Sequence, residues 1–156
     1  MTPEQTETLG AELRALAARI SSLCPTYNEA SDRHCTLASE AAGYEQFYTR
    51  MRSQTYWAPA GTPAHDLRRR VDSRYAQLCD ARDAARATAA STYSEISACW
   101  RRAEDIAAEI LGEEPRYRYL DSLRGLECIS GGRQRCISSE EIETGHLLKI
   151  ANYLAR

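Results

Sequence analysis

Phenylalanine occurs once in this chain of 156 residues, methionine and tryptophan twice each, and glycine and proline only eight and five times. So few breakers leave long stretches with nothing to end a helix, and alanine, the strongest helix former, fills many of them. Clusters of β-branched and aromatic residues are rare apart from tyrosine, which argues against a sheet-built architecture and predicts an all-α chain. No apolar run approaches the about 20 residues that cross a bilayer, so no membrane span is expected. An excess of one charge is missing too. Twenty basic residues face 22 acidic ones, for a net charge of −2. That is a mixed, soluble surface without the basic footprint of a nucleic-acid binder, and no nucleic-acid partner is expected. The length fits a single domain, 1–156, with a core large enough to stand alone.

The start, MTPEQTETLG, is polar and acidic and lacks the basic and apolar regions of a signal peptide. Met1 is therefore a native start or stands in place of a removed leader.

Catalytic signatures are absent as well. There is no GxSxG, no phosphate-binding loop, no GxGxxG and no HExxH. The three histidines, His34, His65 and His146, fall in three different segments. Glu113-Glu114 and Glu140-Glu141 sit next to helix boundaries, where capping and helix-end charge account for them. No nucleophile, base and orienting group come together in the sequence. We expect no enzyme, no catalytic residue and no cofactor.

What is present is a seam. From Leu9, apolar residues recur at alternating spacings of four and three through Leu13, Leu16, Ile20, Leu23, Tyr27, Ala30, His34, Leu37, Ala41, Tyr44, Tyr48 and Met51. The register survives Pro25, which predicts a kinked first helical arm over 3–56. His34 falls on the seam as an interhelical histidine. The segment YWAPAGTPAHD then breaks the pattern and predicts a loop over 57–63, with Thr62 capping the next helix and Pro63 at its first position. A second stripe runs Val71, Tyr75, Leu78, Arg82, Ala85, Ala89, Thr92, Ile96, Cys99, Ala103, Ile106 and Ile110. It predicts a second arm over 64–111, stopped by Gly112 and Pro115. The fold expected is an elongated antiparallel helical hairpin or bundle.

The tail, 113–156, is different in kind. In ECISGGRQRCIS, Gly131-Gly132 separates two similar segments and predicts a β-hairpin or tight turn over 128–136, closed by Cys128 and Cys136. Ser138 and Glu141 have capping-box spacing and open an expected helix over 138–155.

Six cysteines make an even and dense set, which suits a disulfide framework and an oxidising compartment, periplasmic or secreted. Counted outward from the 57–63 loop, Cys24 comes nearly level with Cys99, and Cys35 falls within about 9 Å of the level of Cys79. The expected bonds are Cys24–Cys99, Cys35–Cys79 and Cys128–Cys136. A local Cys24–Cys35 clasp requires the helix to break near Pro25, because an unbroken helix sets the two about 16 Å apart. Cys24, His34 and Cys35 lack the paired spacing of a structural zinc site, so no metal is assigned.

Tyrosine is the abundant aromatic, with nine copies. Tyr44, Phe47, Tyr48, Tyr56 and Trp57 gather at one end of the expected hairpin, where such side chains either pack the end or form a partner-binding tip. Arg68, Arg69 and Arg70 spread around the helix axis and read as a solvated face.

Two segments resemble known families in outline. HLLKIANYLA, from His146, resembles the run around the phosphorylated histidine of phosphotransfer domains, without that motif's glycines. A hairpin with tryptophan at its turn, and Tyr117 and Asp121 beyond, is similar to small helical-hairpin proteins of mycobacterial-type secretion. The turn here reads Trp57-Ala-Pro-Ala-Gly61 in place of Trp-x-Gly, and the cysteines are foreign to that family. Neither likeness covers enough chain to imply a function. The expected function is a non-enzymatic protein-binding module of the cell envelope or exterior, such as an inhibitor, immunity factor, adaptor or secretion component. The alternative is a cytosolic coiled-coil scaffold with free thiols that associates with its own copies as a homo-oligomer.

Overall fold

A computed structural model describes residues 1–114, 126–129 and 133–136, the last two segments by their backbone. Two helices carry the fold, α1 over Pro3–Thr55 and α2 over Pro63–Leu111. α1 is a single helix that runs through Pro25. A short antiparallel pair follows, β1 over Leu126–Ile129 and β2 over Arg133–Cys136.

The helix ends follow from their sequences. Thr2 and Gln5 form a reciprocal capping box: the Thr2 N–H donates to Gln5 Oε1 at 2.8 Å, and the Gln5 N–H donates to Thr2 Oγ1 at 3.2 Å. Pro3 begins α1, where its missing N–H costs nothing. α2 opens in the same way on Pro63, with Thr62 Oγ1 accepting from the His65 N–H at 3.3 Å. It closes at Gly112, whose φ of 65° is the left-handed conformation that glycine adopts without a Cβ penalty. The Gly112 N–H donates to Glu109 O at 3.3 Å and the Glu113 N–H to Ala108 O at 3.0 Å, the paired bonds of a Schellman stop.

The chain divides into two compact units, one of Met1–Glu29 with Ala89–Arg156 and one of Ala30–Thr88. In the first, α1 packs antiparallel on α2 through two apolar clusters. Ile20, Leu23, Cys24 and Tyr27 meet Ile96 and Trp100, and Leu13 meets Ala103, Ile106 and Ala107. Ile20, Ile96 and Ile106 are fully buried, and each such side chain contributes about 1.5–3 kcal/mol. Ion pairs flank these clusters. Arg102 pairs with Glu12 through two bonds of 2.7 and 3.0 Å, and Arg19 with Glu95. Such half-exposed pairs are screened by solvent and contribute little.

The second unit buries Ala30, Ser31 and Ala41 on α1 and Val71, Leu78 and Ala85 on α2. His34 lies here as an interhelical histidine. Its Nδ1–H donates to Arg82 O at 3.3 Å, since the carbonyl can only accept.

The expected cross-hairpin bonds are corrected here. Among the described residues Cys24, Cys35, Cys79 and Cys99 form no disulfide. On α2 the buried face runs through Ile96, Trp100 and Ala103, at spacings of four and three, and Cys99 is left at the cluster's edge. Cys24 packs inside the same cluster as a small apolar side chain. The unbroken α1 also rules out the local Cys24–Cys35 clasp. In the strand pair, Cys128 stands opposite Gln134 and Cys136 opposite Leu126. Closure of the turn by these two cysteines, and the helix expected over 138–155, lie outside the described residues.

Candidate functional site

The loop end of the second unit gathers the aromatic residues singled out above, and it separates them into two groups. Tyr44 and Tyr48 are half-buried and belong to the packing. Both stack on Tyr75 of α2, with ring centroids 6.5 and 4.3 Å apart and planes within 20°. Arg52 closes over Tyr48, its guanidinium 5.6 Å from the ring centre, and its Nη1 donates to the Tyr48 hydroxyl at 2.9 Å. On its other side Arg52 Nε lies 3.9 Å from Asp72 Oδ1. Tyr75 was legible only as one more residue of the stripe. Its partnership with Tyr44 and Tyr48 depends on the register between helices.

Phe47, Tyr56 and Trp57 form the second group, with 45%, 77% and 66% of their surfaces exposed. Apart from Met1, they are the exposed large apolar side chains among the described residues. Phe47 keeps one edge-on contact to Tyr44, 5.4 Å between ring centres. Tyr56 and Trp57 follow the last residue of α1, on a turn with a defined set of bonds. The Ala58 N–H donates to Thr55 O at 3.0 Å, and Arg68 Nη1 donates to Thr55 O and Tyr56 O at 3.3 and 3.2 Å. Ala58 and Thr55 are buried beneath. The two rings are therefore held outward by a backbone that is itself fixed.

Arg68 thus serves the turn, while its neighbours do something else. Arg69 and Arg70 line an open groove on α2 with Asp66, Ser73, Arg74 and Gln77. The run of three arginines does not make this face by itself. It is completed by Arg74, one turn further on.

Burial, with the Glu95 carboxylate adding to it, pushes the Cys99 thiol above its usual range. A hydrogen bond with Cys79 raises the Tyr75 phenol, and its desolvation adds to the effect. Among the described residues no three His, Cys, Asp or Glu side chains gather around one ion position. His65 lies in the first turn of α2, and His146 is outside the described residues. No helix among the described residues is long and apolar enough to cross a membrane.

No family model, curated protein or solved structure matches the chain.

Proposed function

We propose that the protein is a non-enzymatic binding module that engages a protein partner through the loop end, with Phe47, Tyr56 and Trp57 as anchors. The observation that carries this reading is the exposure of Tyr56 and Trp57 on a hydrogen-bonded turn. Exposed apolar surface of this size is costly to keep in water. A rigid setting lowers the ordering cost of binding, and tryptophan and tyrosine dominate the energetics of protein interfaces. An envelope or extracellular location, expected from the cysteine count, draws no support from the four free thiols.

The test is site-specific cross-linking. A photo-reactive phenylalanine analogue replaces Tyr56 in the full chain, in extracts of the source cell. A single cross-linked protein, lost when Trp57→Ala is added, supports the reading. Cross-links scattered over many proteins, or unchanged by Trp57→Ala, overturn it.

A second reading is self-assembly in a reducing compartment, favoured by the free thiols. It predicts that the cross-linked species is a second copy of the chain. The long polar faces of both helices count against assembly along an exposed seam, because among the described residues the large exposed apolar side chains other than Met1 gather at the loop end.

A further inference from the structure

Arg69, Arg70, Ser73, Arg74 and Gln77 are all exposed and follow the spacing of one helix face. With Asp66 they line about 800 Å³ of open space against α2. Nothing in the fold accounts for arginine at these positions. Arg70 and Arg74 are like charges one turn apart, a destabilising arrangement. Arg19, Arg52, Arg82 and Arg102 each have a carboxylate partner; among the described residues no ion pair reaches Arg69, Arg70 or Arg74, as none reaches Arg33 or Arg101, but only here do three such arginines share one helix face. The imbalance is local. Between Arg50 and Arg74 stand six arginines and two aspartates, on a chain of net charge −2. One of those aspartates, Asp72, already faces Arg52.

We propose that this face docks a carboxylate-rich segment of a partner protein. The inference rests on the reading of the loop end as protein-binding and gives that partner a chemistry: acidic residues for the arginine face beside apolar ones for Phe47, Tyr56 and Trp57. Nineteen of the twenty basic residues in the chain are arginine. The guanidinium fork pairs carboxylates in a bidentate way, which lysine cannot match. A nucleic acid fits less well. Three arginines on one helix face give a short track for a polyphosphate strand, and the net negative charge of the chain opposes it.

The experiment uses the full chain at low ionic strength, with labelled poly-L-glutamate as the probe, read by fluorescence anisotropy. A labelled single-stranded oligonucleotide of matched charge is the competitor class. The groove variant is Arg69→Gln/Arg70→Gln/Arg74→Gln, since glutamine has nearly the helix propensity of arginine. Its control removes three exposed arginines elsewhere, Arg33→Gln/Arg86→Gln/Arg101→Gln, and circular dichroism checks the helix content of both. We expect poly-L-glutamate to bind the native chain and the groove variant to bind about tenfold more weakly, the worth of three exposed ion pairs. The control and Trp57→Ala should each change binding by less than about twofold. Failure of the aromatic tip therefore leaves this result standing, and the two readings fail separately. Equal losses in the groove and control variants would overturn the proposal, as would no binding by the native chain. Tighter binding of the oligonucleotide than of poly-L-glutamate would also overturn it and assign the face to nucleic acid.

Discussion

Glu12 and Arg102 show what one ion pair does for this protein. The Arg102 guanidinium bonds both carboxylate oxygens and holds the Glu12 carboxyl below its ordinary value. A carboxyl held low in the folded state stabilises it at pH above the ordinary glutamate range, and that contribution is lost as pH falls through the lowered value. Glu12→Gln should therefore lower the melting temperature at neutral pH, with the difference from the native chain closing as the pH drops below the glutamate range. Thermal melts of both proteins from pH 7 to pH 3 would read it, and a constant gap would refute it. The cysteines offer a second test at this scale. Cys24 is buried and Cys99 is a partly buried thiol held above its usual pKa. Under native conditions Cys24 should be alkylated slowest of the four, and the rate at Cys99 should climb at higher pH than that of an unhindered cysteine. Iodoacetamide labelling followed by peptide mass spectrometry measures both. Much of this scale was legible in the chain. Ile20, Ile96 and Ile106 stand on the traced stripes and are fully buried. Trp100 was not legible, because the buried face is wider than the single traced stripe and takes in the residue beside Cys99.

At the scale of the element, the turn chemistry of the sequence matches the structure closely. Pro63 and Thr62 open α2, and Gly112 stops it. Pro25 is the exception. A proline inside a helix gives no N–H to the carbonyl four residues back and crowds it, at about 3 kcal/mol relative to alanine. α1 nevertheless continues, since the flanking turns bury Ile20, Leu23, Cys24 and Tyr27 against α2. Burial of those four side chains outweighs the local penalty. Pro25→Ala should thus stabilise the chain by about 1–3 kcal/mol, seen as a higher midpoint in urea with an unchanged slope. A lower midpoint would mean that Pro25 is built into the packing of its neighbours.

For the molecule as a whole, the distribution of apolar surface decides how it associates. Among the described residues the helix faces turned to solvent carry no large apolar side chain between Met1 and Phe47 or after Trp57. Association along the length of a helix would bury mostly polar side chains and gain little. Sedimentation velocity of the reduced, purified chain should show one species with no growth in size from low to high micromolar concentration. A concentration-dependent oligomer that Trp57→Ala does not dissolve would favour the self-assembly reading and displace the partner-binding one.

The sequence alone determined the elements. Breaker residues are few and well placed, and periodic leucine, isoleucine and alanine commit two long segments to helix because local propensity and the 3.6-residue repeat act along the chain. Tertiary structure decided everything that depends on rotation and register between helices. It buried Trp100 beside Cys99, stacked Tyr75 with Tyr44 and Tyr48, and left Cys24, Cys35, Cys79 and Cys99 without disulfides. A small error in helical phase accumulates over many turns, and a disulfide or a ring stack tolerates only a few ångströms, so these pairings could not be read from spacing.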